Sequence, residues 1–450
     1  MVQNKNELGR SATLPKCDGK NAVRFHRHEL NAIPTPSLIG WDAVATSESS
    51  KTFAGSTFKV KLVRPAGRSV MRGLLLKVNG GALSGTATGL NAFWHCVKEL
   101  RIKNVCRTKF QNGSSIPESF TLLGHVMHQL AYLKPSYAEW NTQKYLGGWG
   151  SETVANYPTD WTDVDYNASY NYYIDLQFLL FGSKPIYIFD DVMSDTTLFE
   201  FELEIRPYTS IDADSADTAS KIIAATVVDL VSYWSDFADD DNCTKNALEK
   251  LGQTTYNINL PKTLEHIETF SSTTSIDLDE LIPELPNKKI ASCSALSVDC
   301  YLSTHVQGLT DATSSYTNGT NSISFYQPIN LSSLYLRSPG SIDMLGMKNS
   351  FFDQVGPTDF IASGLSYLST IAPSKHVNFL HNSRNGTIAN LYWLPVGVNT
   401  KLTASQLVVD PNSTGDGASR TIYITAHMNC ILVSQPEGIV IQYEGPHDHE

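Results

Sequence analysis

At 450 residues the chain exceeds the usual span of one domain and points to two or three. Its 41% hydrophobic and 18% charged residues permit a packed core and exclude wholesale disorder. A net charge of -11 excludes a surface built mainly to neutralise nucleic acid, because phosphate binding needs clustered Lys and Arg.

No apolar leader opens the chain and no run approaches the length of a membrane span, so synthesis and folding in a cytosol are expected. The seven cysteines, Cys17, Cys96, Cys106, Cys243, Cys293, Cys300 and Cys430, include no C-x-x-C pair. Reduced, mostly buried thiols are expected of them, rather than a disulfide framework or a zinc site.

Residues 1–54 lack sustained periodicity and carry Pro15, Pro34 and Pro36, so an arm is expected there. Its cations are offset by Glu7, Asp18 and Glu29, which argues against a polybasic genome-binding arm. The first strand is expected at Thr57 to Val63, where Phe58, Val60 and Leu62 alternate with Lys59 and Lys61. A second apolar run, Arg72 to Val78, ends at the turn signal Asn79-Gly80-Gly81. Val97 to Lys103 alternates basic and apolar residues, and Gln111-Asn112-Gly113 follows as a turn. A helix is expected over Pro117 to Leu133, with Phe120, Leu123, Met127, Leu130 and Ala131 on one face.

The stretch from Lys134 to Tyr173 is rich in aromatic and amide side chains without alternation and is expected to form long loops. Beyond it, Ile174, Leu176, Phe178 and Leu180 predict a strand that stops at Gly182-Ser183-Lys184-Pro185. The short apolar segment Ile186 to Phe189 follows. In Leu198 to Arg206, Phe199, Phe201, Leu203 and Ile205 alternate with Glu200, Glu202, Glu204 and Arg206, the pattern of a half-buried strand. The spacing of Ile223, Val227, Leu230, Trp234 and Phe237 fits an amphipathic helix, while the β-branched run Ile222 to Val231 leaves a strand open. Asp239-Asp240-Asp241 is a solvated charge run, because a calcium cage needs alternating ligands and a glycine turn. Pro283 to Asn287 is expected as a linker. Later, Leu296, Val298 and Cys300 alternate with Ala295, Ser297 and Asp299. Near the end, Thr421 to Ala426, a break at His427-Met428-Asn429, Cys430 to Val433, a turn at Pro436-Glu437-Gly438 and Ile439 to Tyr443 follow in order.

The order strand, Gly-x-x-Pro turn, short apolar segment and acidic strand over Tyr172 to Tyr208 resembles the closing strands of the first jelly roll in double jelly-roll major capsid proteins, the family of adenovirus hexon, virophages and large algal viruses. Leu90-Asn91-Ala92 leading into Val97 to Lys103, and the closing order from Thr421 to Tyr443, are similar to further parts of that family. The resemblance implies an all-β fold of two tandem eight-stranded jelly-roll sandwiches, with short helices in loops and linker. It places an N-terminal arm at 1–54, a first jelly roll at 55–209, a linker with a helical insertion at 210–288, a second jelly roll at 289–445 and a tail at 446–450. It implies a non-enzymatic capsid protein without a cofactor, made in the host cytosol and located in the virion. Its copies would trimerise into pseudo-hexameric capsomers. Expected partners are neighbouring capsomers, penton and minor capsid proteins and an internal membrane, with no sequence-specific nucleic-acid binding.

Two other readings stay open: a single jelly-roll capsid protein with a projecting domain, and a carbohydrate-binding or carbohydrate-cleaving β-sandwich. The first is weakened by the lack of a strongly basic arm. Trp140, Trp149 and Trp161 support the second as a sugar platform, although aromatic anchors of long loops explain them more simply. No nucleophile elbow, Walker loop or H-E-x-x-H occurs. His26, His28 and Glu29, and His447, Asp448, His449 and Glu450, are close in sequence but lie in terminal segments without partners to orient a metal set, so no metal site is expected. Seven N-x-S/T sequons occur, and Asn112, Asn167, Asn318, Asn385 and Asn412 sit in turn-like stretches suited to an exposed glycan. Asn242 and Asn330 do not.

Overall fold

A computed structural model describes residues 38–53, 55–80, 97–110, 116–124, 126–127, 171–181, 185–205, 226–237, 242–269, 274–283, 285, 291–302, 331–337, 343–347, 392–395, 406–411 and 419–445. Four antiparallel sheets carry the fold. The first sandwich contains β1 (Leu38–Ser47), β2 (Thr57–Val63), β3 (Val70–Gly80), β4 (Val97–Asn104), β5 (Ser119–Leu123), β6 (Asn171–Asp175), β7 (Ile186–Tyr187), β8 (Thr197–Ile205) and β9 (Thr226–Phe237). One of its sheets has the order β1-β9-β3-β6, with β7 also on β3, and the facing sheet has the order β2-β8-β4-β5. A helix, α1 (Leu176–Phe181), interrupts the lane beside β3 between β6 and β7.

The second sandwich repeats that plan. Its strands are β10 (Thr254–Thr269), β11 (Thr274–Asp277), β12 (Cys293–Leu302), β13 (Leu331–Arg337), β14 (Asp343–Met347), β15 (Tyr392–Pro395), β16 (Gln406–Pro411), β17 (Ser419–Gln435) and β18 (Gly438–Tyr443). The sheets run β10-β17-β12-β15 and β11-β16-β13-β14, so position for position the strand order matches that of the first sandwich. Each half is a jelly roll, whose chain passes back and forth between two facing sheets, with hairpins such as β4-β5 and β13-β14 staying within one sheet. The connecting helix, α2 (Asn242–Leu251), ends at Gly252, whose φ of +63° suits the left-handed residue that closes a helix.

Alternation explains most of these strands. Phe58, Val60 and Leu62 of β2, Phe199, Phe201 and Leu203 of β8, and Leu100 and Ile102 of β4 all turn into the first core. They meet Leu74, Leu76 and Val78 of β3 and Val228, Leu230 and Trp234 of β9 from the opposite sheet. The apolar cluster continues without a gap through Ile258, Leu260, Met428, Cys430 and Ile441 into the second sandwich.

Several expectations need correction. Residues 38–47 are not part of an arm, because β1 pairs with β9 and forms a sheet margin of the first sandwich. The first jelly roll does not stop near 209: its eighth lane is β9, which lies between β1 and β3 and closes the sheet. The stretch 210–288 therefore contains the last strand of one sandwich and the first two strands of the next, with α2 between them. Thr226 to Phe237 is a strand and not a helix, since Val228, Leu230, Ser232 and Trp234 share the buried side. Ser119–Leu123, expected as helix, is β5, with Phe120 and Leu122 turned inward. The predicted strand at Ile174 to Leu180 becomes helical at Leu176, where Leu176, Leu180 and Phe181 are buried at helical spacing. His427 to Asn429 is no break but the middle of β17. The turn at Gln111 to Gly113 and the loops from Lys134 lie outside the described residues.

Candidate functional site

Two built features are candidates for function: the junction that fixes one sandwich on the other, and a charged sheet face. The junction begins with β17. Its first part, Arg420 to Met428, pairs with β12, and its last part, Cys430 to Gln435, pairs with β18. The changeover falls at Asn429, whose N–H donates to the Ser292 carbonyl while the Glu444 N–H donates to the Asn429 carbonyl, both at 2.9 Å. β18 is thereby carried onto the first sandwich. There the Asn104 side chain donates to the Ile441 carbonyl at 3.0 Å and accepts from the Ile441 N–H at 2.9 Å, and it also donates to the Pro117 carbonyl at 2.7 Å. A carboxamide offers a donor and an acceptor in the geometry of a peptide group, so Asn104 acts as a one-residue neighbour of β18. Phe120 packs edge-on against Tyr443, with ring centroids 5.2 Å apart. Gly438 brings its backbone so near Cys106 that an added Cβ would lie 2.7 Å from the sulfur.

A second set of contacts holds α2 and β10. The Tyr187 N–H donates to the Tyr256 hydroxyl at 2.9 Å, and the Tyr187 hydroxyl donates to the Glu249 carboxylate. Burial and the Glu249 charge both push the Tyr187 phenol well above its usual range, so it stays a donor. Asp190 binds the buried Arg64 at 2.9 Å, the Ser69 hydroxyl at 2.7 Å and Lys245 of α2 at 2.6 Å. Burial works to raise the Asp190 carboxyl, but Lys245, Ser69 and Arg64 outweigh it and hold it below the usual carboxylate range. Arg64 also donates to the carbonyls of Arg68, Asp190 and Val192, which satisfies its fork on backbone oxygens.

The charged face is the outer side of β2-β8-β4-β5. Register sets Lys59 and Arg101 on either side of Glu202, and Lys61 and Lys103 on either side of Glu200. Glu202 is 2.7 Å from both Lys59 and Lys103 and 3.3 Å from Arg101. Its side chain is only 7% exposed although it points away from the core, because those three side chains lie over it. Burial tends to raise its carboxyl, yet the ammonium groups of Lys103 and Lys59 pull it down to about 2. Thr57, Glu99 and Glu204 complete the shallow cleft around this network. Its chemistry is that of a neutralised ion-pair lattice rather than of catalysis, since its charges are engaged with one another.

None of the residues singled out from sequence as a site is brought together here. Asn112, Asn167, Asn318, Asn385 and Asn412, the tryptophans Trp140, Trp149 and Trp161, the acidic run Asp239 to Asp241, and both histidine-carboxylate sets lie outside the described residues. Among the described residues no three His, Cys, Asp or Glu side chains are grouped to hold a metal ion. The cysteines Cys106, Cys293 and Cys430 are buried. Among the described residues no helix is long and apolar enough to cross a membrane. Sequence reasoning missed Asn104 and Asp190, whose partners are remote along the chain. The Glu202 network did leave a signal, because the basic alternation of Lys59 and Lys61 mirrors the acidic alternation of Glu200 to Glu204.

No protein-family model and no curated protein matches the chain. Solved structures do. The VP54 protein of PBCV-1, fitted into a reconstruction of the virophage Sputnik, is 9% identical with a TM-score of 0.52, covering 90% of this chain and 97% of that one. A quasi-atomic model of the PBCV-1 virus capsid is 9% identical with a TM-score of 0.51, covering 90% of this chain and 97% of that one. The Faustovirus major capsid protein is 8% identical with a TM-score of 0.46, covering 96% of this chain and 98% of that one. With its own strand order, the likeness to PBCV-1 VP54 shows that this chain has the double jelly-roll fold.

Proposed function

We propose that this protein is a viral major capsid protein, non-enzymatic, whose copies trimerise into pseudo-hexameric capsomers that tile an icosahedral shell. The observation that carries the proposal is the repetition of a whole jelly roll within one chain, in the same strand order and with one continuous core, at near full-length likeness to PBCV-1 VP54. Two like units per chain let three chains present six similar sides, and closed symmetry builds a tile from repeated contacts. The interlocked junction supports the same reading, because a tile needs its two units held at one angle. In this role the protein would sit in the virion, contact neighbouring capsomers, penton and minor capsid proteins, and face an internal membrane where one exists. The net charge of -11 fits a shell layer that does not itself bind the genome.

The test is the native mass of the purified protein across a dilution series, followed by imaging of concentrated samples. Three chains of 49.6 kDa, that is 3 × 49.6 = 148.8 kDa, are expected to persist at low concentration and to form pseudo-hexagonal particles. A chain that stays single at every concentration overturns the proposal.

A further inference from the structure

β17 is held differently on its two sides. Against β10 the register runs unbroken from Thr254 to Thr269. On the other side the lane passes from β12 to β18, and there the register slips between Cys293 and Ala295, with Ser294 as the extra residue. Just past the slip, Ser292, Asn429 and Glu444 form a knot of three strands. Besides the two backbone bonds at Asn429, the Ser292 N–H donates to the Glu444 carbonyl at 2.8 Å and the Asn429 side chain donates to the Ser292 hydroxyl at 3.1 Å. This knot delivers β18 to Asn104.

His427 stands level with Ala295, at the slip, and on the same face of β17 as Asn429. The N–H and C=O of Asn429 both point to the β12 and β18 lane, so those of His427, two residues back, do too. The imidazole is 5% exposed, and its neighbour on β10 is the buried Pro261. The charged residues of the surrounding strands stand off: Glu265 and Asp299 are level with Tyr423, Lys262 is level with Ala426 on the opposite face, and Glu444 lies beside Asn429. None of them offsets the loss of water, and burial alone sets the low pKa of the ring. Among the described residues both histidines, His266 and His427, belong to the second sandwich.

We infer that His427 makes the changeover from β12 to β18 an acid-released latch: a proton on its ring frees β18 and the start of β12 from β17, while the β10 ladder and the first sandwich hold. The neutral ring has one donor and one acceptor, and a proton adds charge and turns the acceptor into a donor. A buried site meets that demand by admitting water. The slip at Ser294 is where the ladder is already disrupted, so the lane parts there first. The latch acts within a single chain, and its failure leaves the capsid reading standing.

The experiment is amide exchange of the full-length chain at pH 7 and pH 5, each rate taken relative to that of an unstructured amide at the same pH. An imidazole that titrates at 6.5 when opened makes opening about 25-fold more frequent at pH 5, read in β18 and in Ser292 to Leu296. At pH 5 these amides should also exchange at least about tenfold faster than those of β3 and β8. In His427→Gln the change with pH should shrink to less than about twofold. Equal protection of β18, β3 and β8 overturns the inference, because opening then belongs to the whole chain. A change with pH that persists in His427→Gln overturns it too. If the variant does not fold, the His427 ring signal of the wild-type chain decides by magnetic resonance. It should stay neutral down to pH 5 in the closed chain, and a ring that titrates near 6.5 with β18 still protected overturns the inference.

Discussion

The side-chain amide of Asn104 pairs in both directions with the backbone of Ile441, 337 positions further along the chain. It replaces a missing strand at the outer margin of β18 and ties the first sandwich to the second. Removing it leaves a buried N–H and a buried carbonyl without their partner and also frees the Pro117 carbonyl. Asn104→Ala should cost about 3 kcal/mol in urea unfolding. Asn104→Asp should cost at least as much, since a carboxylate cannot donate to the two carbonyls.

Gly438 opens β18 directly after the Pro436-Glu437 turn from β17, and its φ of +139° is nearly closed to other residues. Gly438→Ala should destabilise by about 1–3 kcal/mol through that backbone alone. The contact with the Cys106 sulfur adds to the loss. In a double-mutant cycle, Cys106→Ala should recover part of the contact cost and none of the backbone cost.

Asp190 links Arg64, Ser69 and Lys245, and so fastens α2 to the first sandwich. Asp190→Asn should destabilise by about 1–2 kcal/mol, below the loss for a fully buried pair because the Asp190 side chain is 46% exposed. Lys245→Met should cost less, since Arg64 would still be neutralised. Chemical denaturation of both variants checks the order.

Acid should weaken the fold through two groups, and their pH windows differ. Burial holds His427 at about 3, against 6.5 when unfolded. Between those values the unfolded chain binds the extra proton, so stability present above pH 6.5 falls by about 1.4 kcal/mol per pH unit as the pH drops. Glu202 is held at about 2 against 4.5, so its contribution is present above pH 4.5 and is lost as the pH falls towards 2. Stability measured from pH 7 to pH 3 should decline first in the histidine window. His427→Gln should flatten the decline above pH 4.5, and Glu202→Gln should flatten only the part below it.

The fold was most legible where one face is wet. In β2, β4 and β8 the apolar residues alternate with charged or polar ones, and the period of two is plain. It failed where the pattern is blurred. In β9 the buried side includes Ser232, which accepts a hydrogen bond from the Trp234 indole at 2.8 Å, so a polar residue stands where an apolar one would have shown the alternation. β10 was hidden for a similar reason, as Asn257 and Asn259 flank Ile258 and Pro261 interrupts the run, although its ladder with β17 holds from Thr254 to Thr269. The charged face could be anticipated from matching acidic and basic strands. The junction could not, because Asn104 and Ile441 meet only after both sandwiches have formed, and one asparagine at a strand end carries no sign of its partner.

The ladder of β10 with β17 spans sixteen residues, or about 50 Å of continuous strand pair, and it passes from the body of the second sandwich to the surface of the first. A hinge between the sandwiches would have to shear or fold this ribbon. The subunit should therefore behave as a stiff beam. In the shell proposed above, curvature would then arise at the seams between tiles, leaving a flat facet as the natural product of many copies laid side by side.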